Sequence, residues 1–147
     1  MDELDRKILA QLQEDGRRPF TEIAERLGGK SEGMVRNRVH RLIKDGVISI
    51  QAVVNPRALG YHTQAFIGII VDPPLIESAA KELLECDEVT YLAWSSGRMD
   101  LMLQVVCKDN EHLVAFMSEK LNQVKGIKST ETHMILRTYR QSANWEI

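Results

Sequence analysis

The 147-residue sequence lacks a long apolar run. No uncharged apolar stretch approaches the roughly 18 residues that a membrane-spanning helix needs. The first residues are crowded with charge, where a signal peptide would be apolar: Asp2, Glu3, Asp5, Arg6 and Lys7. We therefore expect a cytoplasmic protein with no membrane partner.

Cysteine is scarce, and neither cysteine nor histidine is spaced as in a metal site. Cys86 and Cys107 lie far apart in the apolar contexts LLEC and LQVVC. We interpret both as buried, reduced thiols, with a disulfide or a metal role as the alternative. The four histidines are isolated from one another as well: His40, His62, His112 and His133. We expect no metal and no cofactor.

The sequence also lacks the combinations of residues that catalyse reactions. The sequence shows no activated nucleophile, no paired carboxylates and no glycine-rich loop that would cradle a phosphate. Glu85 and Asp87 flank Cys86, but this arrangement is more typical of the solvated end of a helix than of a catalytic pair. We expect that the chain is not an enzyme.

A net charge of −2 conceals one concentrated basic segment. Residues 30–44, KSEGMVRNRVHRLIK, carry a local charge of +4, because a single acidic residue, Glu32, stands against five basic ones: Lys30, Arg36, Arg38, Arg41 and Lys44. Such a cluster on one helix suggests a nucleic-acid partner. A solvated basic face is the alternative.

The first 54 residues predict a winged helix-turn-helix domain. Apolar spacing predicts a helix over residues 3–15 and a short second helix that Gly28-Gly29 ends, because glycine accepts the left-handed conformation. Ser31 is a plausible N-cap for a third helix that continues to Lys44. The loose alternation VISIQAVV, Val47 to Val54, predicts a strand or wing behind the helices.

The third helix has an outer face suited to double-stranded DNA. With Val35, Val39 and Leu42 turned inward, its opposite face is wholly polar or glycine. Arginine can bond guanine and asparagine can bond adenine through two hydrogen bonds, so Arg36 and Asn37 suit base edges. Arg41 and Lys44 suit phosphates, Arg38 a phosphate or a carboxylate, and Gly33 permits a close approach. The candidate DNA-binding residues are Ser31, Gly33, Arg36, Asn37, Arg38, His40, Arg41 and Lys44.

After a predicted hinge at residues 55–62, residues 63–147 predict a ferredoxin-like βαββαβ domain, so the fold class is α+β. Strands are expected over residues 65–71, 89–94, 101–107 and 127–139, and helices over 75–86 and 110–123. Both helices would cover one face of an antiparallel sheet. We expect a second copy of the chain to cover the other face, which should carry Phe66, Ile70, Leu101 and Leu103.

The sequence resembles the Lrp/AsnC family of regulators over nearly its whole length. LDRKILAQLQEDGRRPFTEIAERLG looks like the family's opening helices, and SEGMVRNRVHRLIKDGVI like its recognition helix. WSSGRMDLMLQVVCKDNEHL, with Gly97-x-x-Asp100, and GIKSTETHMILRTYR are similar to its regulatory domain. The turn Gly28-Gly29-Lys30-Ser31 departs from the family pattern, because it is one residue longer and lacks the apolar member.

The resemblance implies a homodimer built through the regulatory sheets, often assembled into tetramers or octamers, with an amino acid or similar metabolite bound between dimers. Carried onto matching positions, the effector site comprises Ser96, Gly97, Asp100, Thr132, His133 and Ile135. Asp100 could hold an ammonium and the loop amides a carboxylate. The alternative is that Gly97 only makes a turn and Asp100 only caps it.

The expected function is a sequence-specific DNA-binding transcription regulator that responds to an amino acid or related metabolite and is associated with the nucleoid. The alternative is a nucleoid-organising protein that packages DNA with little sequence preference.

Overall fold

The computed structural model describes residues 1–139, in which two units can be distinguished. The first unit spans residues 1–53 and contains three helices. They are α1 (Glu3–Glu14), α2 (Phe20–Arg26) and α3 (Glu32–Lys44). Asp2 and Asp5 start α1 with a reciprocal capping box, in which each carboxylate accepts the other residue's backbone N–H. Ser31 Oγ accepts the Met34 N–H and starts α3, as predicted.

The helices of the first unit pack around fully buried aliphatic side chains, among them Ile8, Ile23, Val35 and Val39. The turn before α3 is made by Gly28 and Gly29, whose φ angles are 82° and 74°. These left-handed conformations are accessible to glycine without strain, so the additional residue in the turn is accommodated by backbone geometry.

The strand predicted for residues 47–54 is wrong. This segment forms no strand, and no strand of residues 1–139 pairs with it. Ile48 packs against the core of the first unit, whereas Val53 is 88% exposed. A strand exists through hydrogen bonds to a neighbouring strand. Alternation in the sequence reports which side chains could share a face, not whether a partner backbone is present.

A four-stranded antiparallel sheet forms the second unit, which begins at residue 54. The elements in chain order are β1 (Thr63–Val71), α4 (Ile76–Leu84), β2 (Val89–Trp94), β3 (Leu101–Cys107), α5 (Asn110–Ala115) and β4 (Ile127–Met134). The strand order is β2-β3-β1-β4, with β1 paired to both β3 and β4. The βαββαβ order and the α+β class are confirmed.

The prediction that Leu101 and Leu103 lie on the open sheet face is wrong. They are in register with Ile69 and Ile67, and all four side chains are at most 1% exposed in the core beneath the helices. Phe66 and Ile70 alternate with them and lie on the opposite face. Register depends on pairing between distant strands, and a shift of one residue exchanges the two faces.

Two predicted elements differ in detail from the sequence pattern. The helix expected over 110–123 does extend to Gln123, but only α5 is α-helical: a wider π-helical segment, Phe116–Lys120, and a tighter 3-10 turn, Leu121–Gln123, follow it. The last strand ends at Met134 and not at Tyr139, because its partner β1 begins at Thr63 and offers little further backbone. Ile135 therefore lies just beyond β4, with its N–H donated to the Gln64 carbonyl.

A buried carboxylate just before β2 binds the helical segment that runs from Asn110 to Gln123. Glu88 is 7% exposed, and Lys120 Nζ donates to its two carboxylate oxygens at 2.8 and 2.9 Å. His112 Nε2 lies 3.1 Å from Glu88 Oε1. Burial acts to raise the pKa of Glu88, but the hydrogen bonds, chiefly that from Lys120, outweigh it and hold this pKa below its usual value.

Adjacent leucines of α4 provide a matched test of this packing, because Leu83 is fully buried and Leu84 is 63% exposed. We expect Leu83→Ala to lower the free energy of unfolding by about 2–5 kcal/mol, since a buried cavity is created. Leu84→Ala should change it by less than about 0.5 kcal/mol. Denaturant titration of the full chain measures both values, and equal losses would contradict the packing described here.

Candidate nucleic-acid interface and effector loop

The outer face of α3 is open within its unit. Gly33, Arg36, Asn37 and His40 are exposed, whereas Val35, Val39 and Leu42 on the opposite side are at most 2% exposed. A Cβ atom built on Gly33 would meet nothing within 4 Å. The predicted orientation of the helix is therefore the observed one.

On the flank of α3 that faces α1, two arginines are bound by aspartates. Arg38 Nη1 donates to Asp2 Oδ2 at 2.6 Å and to Asp5 Oδ1 at 2.9 Å. Arg41 Nη2 donates to both carboxylate oxygens of Asp5, at 2.9 and 2.8 Å. Of the two partners predicted for Arg38, the carboxylate is observed. The Arg41 side chain is still 51% exposed, which leaves part of its guanidinium accessible.

On the other flank, three side chains spaced four residues apart form a row: Glu32, Arg36 and His40. Arg36 Nη2 donates to Glu32 Oε1. The His40 ring meets the Phe20 ring edge-on, with centroids 6.5 Å apart. Sequence reasoning named Arg36 and His40 but missed Glu32 as the partner of Arg36. The i, i+4 spacing of opposite charges was the available signal.

Asp5 is the residue that sequence reasoning missed most clearly. It is 1% exposed and lies one helical turn before Ile8 on the buried side of α1. Burial acts to raise the pKa of Asp5, but the Asp2 N–H and the guanidinium groups of Arg38 and Arg41 outweigh it, so this pKa is lowered. An acidic residue within an apolar stripe was the available signal.

Asp2 shares the same cluster at its exposed edge. The hydrogen bond from Arg38, followed by that from the Asp5 N–H, lowers the pKa of Asp2 to about 2. Lys44, at the end of α3, is exposed and forms no ion pair within residues 1–139. Of the cations predicted to meet phosphates, Lys44 is thus the one that forms no ion pair in the described part of the chain.

In the second unit, hydrogen bonds within the loop from Ser95 to Asp100, and between this loop and β1, hold the loop in place. The Asp100 N–H donates to the Ile69 carbonyl at 2.9 Å, and Asp100 Oδ2 accepts the Val71 N–H at 2.9 Å. The Ser95 N–H donates to the Asp100 carbonyl, and the Gly97 N–H donates to Ser95 Oγ. Asp100 therefore anchors the loop to β1 through its backbone and one carboxylate oxygen.

The loop also covers part of the open sheet face. A Cβ on Gly68 would lie 2.7 Å from Met99 Cγ, so Met99 rests directly on that glycine. Arg98 reaches across to Glu131 of β4, with Nη2 3.2 Å from Oε2. His133 Nε2 lies 3.4 Å from the other carboxylate oxygen of Glu131.

The six candidate effector residues are only partly brought together. Ser96, Gly97 and Asp100 share the loop, and His133, in register with Phe66, lies on the same open face that the loop covers. Thr132 is in register with Ile67 and points to the helical layer, where its Oγ1 lies 3.9 Å from Met117 Sδ. Neighbouring residues of a strand face opposite sides, which separates Thr132 from His133.

The described residues contain no cluster of metal-ligating side chains and no disulfide. Within residues 1–139, no group of three His, Cys, Asp or Glu side chains is placed to hold a metal ion. Cys86 and Cys107 are both free thiols, and burial raises the pKa of Cys107 to about 11.

None of the helices within residues 1–139 combines the length and apolar content required to span a bilayer.

A helix-turn-helix unit with an exposed polar third helix, followed by a ferredoxin-like unit with an ordered loop on its sheet, defines a DNA-binding protein with an α+β regulatory domain. The chain belongs to the Lrp/AsnC family. The family model for the AsnC-type helix-turn-helix domain matches residues 1–43, and that for the Lrp/AsnC ligand binding domain matches residues 64–145.

Relatives agree with this assignment over most of their lengths. The chain is 42% identical over 136 residues to an uncharacterized HTH-type transcriptional regulator of Pyrococcus furiosus, covering 92% of this chain and 91% of the relative. The solved structure of E. coli AsnC is 30% identical, with a TM-score of 0.89 and coverage of 98% of this chain and 97% of AsnC.

The feast or famine regulatory protein of M. tuberculosis, solved in complex with L-methionine, is 28% identical, with a TM-score of 0.90 and 99% of each chain covered. The chain is therefore a transcriptional regulator of the AsnC/Lrp type. The expectation that it is not an enzyme is confirmed, because the matched domain and the relatives are those of regulators.

Asp5→Asn tests the carboxylate that holds α3. Because the pKa of Asp5 is lowered in the folded chain, its stabilising effect is complete above the unfolded pKa of about 4 and is lost as the pH falls through the lowered value. We expect the variant to be less stable than the parent by about 1–3 kcal/mol at pH 7, since charge-assisted hydrogen bonds are lost. The difference should shrink below about pH 4.

Unfolding titrations of both chains between pH 2 and pH 7 measure this difference. Asp45→Asn, which removes an exposed carboxylate just after α3, is the matched control and should leave the stability nearly unchanged. A difference between Asp5→Asn and the parent that does not vary with pH would contradict the assigned role of the Asp5 charge.

Proposed function

We propose that this chain is a sequence-specific DNA-binding transcription regulator that responds to an amino acid or related small metabolite. The observation that carries the proposal is the outer face of α3, where exposed hydrogen-bond donors lie beside arginines that carboxylates hold in place. In this proposal the protein acts in the cytoplasm, associated with the nucleoid, and residues 55–62 are the hinge between residues 1–54 and 63–147.

The proposed DNA contacts follow from position on α3. Recognition helices contact base edges mainly through their N-terminal residues. Arg36 and Asn37 then contact bases, and the exposed Gly33 lets the start of the helix approach the groove. Lys44 and the exposed part of Arg41 contact phosphates. Ser31 caps the helix, Arg38 anchors it to α1, and His40 lies beside the bases with its ring against Phe20.

The proposed effector site uses the loop from Ser95 to Asp100 together with His133. Its hydrogen bonds form it before any ligand arrives, which reduces the ordering cost of binding. The complex of the M. tuberculosis relative with L-methionine supports an amino acid as the effector class. Thr132 supports the site from the helical side of β4, and Ile135 from just beyond the strand.

A homodimer, assembling further to tetramers or octamers, is the proposed quaternary state. Phe66 and Tyr91, on the open face of the sheet, are 40% and 54% exposed. An apolar sheet face of this kind is stabilised when a second copy covers it. Sedimentation velocity on the purified chain tests this, and a monomer at micromolar concentration would contradict it.

Simultaneous Arg36→Ala and Asn37→Ala should weaken binding to the DNA upstream of the chain's own gene by about tenfold or more, because each two-bond base contact contributes about 1–3 kcal/mol of discrimination. Fluorescence anisotropy at several salt concentrations measures the affinity. Lys81→Ala, an exposed change on α4, is the control and should bind as the parent does. Undiminished binding by the double variant would remove α3 from base recognition.

Footprinting of the same complexes separates the two proposed modes of DNA binding. Discrete protected sites one helical turn apart support a sequence-specific regulator. Uniform protection along the DNA would instead favour the packaging alternative.

Asp100→Asn tests the effector site while preserving the loop, since the amide oxygen can still accept the Val71 N–H. With the parent chain, we expect a true ligand from a panel that includes L-methionine to raise the melting temperature by mass action. The variant should unfold at nearly the same temperature without ligand. It should lose the ligand-induced rise, because the amide that replaces the Asp100 carboxylate carries no charge to attract the ammonium group of the ligand. A parent chain that responds to no amino acid would contradict the proposed effector class.

A further inference from the structure

Glu32 is the one acidic side chain on the exposed half of α3. The other two carboxylates that bind arginines of this helix, Asp2 and Asp5, lie on the flank that faces α1. Glu32 is the first residue of α3, and its side chain is 40% exposed. It therefore lies at the end of the helix that the proposed function places against base edges.

A carboxylate in this position opposes general DNA binding, because it repels phosphates and adds nothing to counterion release. An exposed ion pair with i, i+4 spacing contributes only about 0.3–0.5 kcal/mol to helix stability. The place of Glu32 in the first turn of α3 adds a favourable interaction with the helix dipole of about 0.3–1 kcal/mol. Neither contribution depends on where the Arg36 guanidinium points. The bond from Arg36 Nη2 to Glu32 Oε1 is the more informative feature.

That bond restricts the guanidinium of Arg36 while leaving most of its donors unused. A guanidinium has five N–H donors in a rigid fork, and the bond to Glu32 uses one of them. The remaining donors can bond guanine O6 and N7 in the major groove. An arginine held in this way loses less conformational freedom when it meets a guanine, and its reach to phosphates on either side is reduced.

We propose that Glu32 is a specificity-determining residue of the DNA interface, which positions Arg36 for guanine and weakens binding to duplexes that lack this base. The inference rests on the proposed function and adds to it the sign of two expected changes. Removal of the Glu32 charge should lower discrimination and, at the same time, raise affinity for unrelated DNA. A carboxylate with a merely structural role would change both affinities in parallel.

The test is selection of binding sites from a pool of random duplexes by the full chain, by Glu32→Gln and by Glu25→Gln. Glu25 is an exposed acidic residue of α2, so the control removes the same charge one helix away. For Glu32→Gln, we expect the preference for guanine to relax at one position of each half-site. The ratio of affinities for selected and scrambled duplexes should fall about tenfold, the size of one lost base contact. Affinity for the scrambled duplex should rise severalfold, and Glu25→Gln should keep the parental motif and ratio.

A second set of variants covers the case in which Glu32→Gln changes the helix itself. Arg36→Lys replaces the rigid fork that bonds guanine with a single flexible ammonium group, so it should weaken the preference. Adding Glu32→Gln to Arg36→Lys should then cause no further loss of discrimination. Additive losses would overturn the inference, because Glu32 would be acting independently of Arg36.

The outcomes also separate this inference from the proposed function. If the parent chain selects a motif and Glu32→Gln selects the same motif with the same ratio, the inference fails and the proposed function stands. If the parent chain selects no motif, sequence-specific recognition fails and the inference fails with it.

Discussion

The carboxylate of Asp5 is the constraint on which the proposed DNA-binding face depends. It is withdrawn from water, and its charge is matched by Arg38 and Arg41, which follow 33 and 36 residues later in the chain. Apolar contacts such as those of Val35 hold α3 in place but are not directional. Hydrogen bonds to a buried carboxylate are directional, so they add an orientational restraint to the apolar face that turns Val35, Val39 and Leu42 inward.

The same ion pairs lower the positive charge that the basic segment, residues 30–44, presents to its surroundings. Its local charge of +4 suggested attraction to phosphates, yet each of its three arginines contacts a carboxylate in the folded chain. Because Asp2 and Asp5 add two negative charges, the segment and its partners keep a net charge of +2, which weakens its long-range field but does not remove it. In the proposed function, base recognition then relies on donors that are already oriented, and the phosphate contacts fall chiefly to Lys44 and the exposed part of Arg41.

The parts of this structure that could be predicted are those with local causes. Ser31 as the cap of α3, the glycine turn before it and the inward side of the helix all follow from neighbouring residues. Contacts between distant segments could not be predicted. The pairing of β1 with β3 decided that Leu101 faces the helices, the end of β1 decided where β4 stops, and the partners of Asp5 lay on a different helix.

Both candidate sites share one consequence of these long-range contacts. Arg41 and Asp100 were interpreted from the sequence as groups that meet a ligand directly, and in the folded chain each first bonds another part of its own unit. Such a bond does not remove the group from recognition, because a guanidinium keeps further donors and a carboxylate keeps a second oxygen. It places the remaining atoms before the ligand arrives, so that less conformational entropy is lost on binding. Under the proposed function, polar side chains with two sets of partners are therefore where stability and recognition are coupled in this protein.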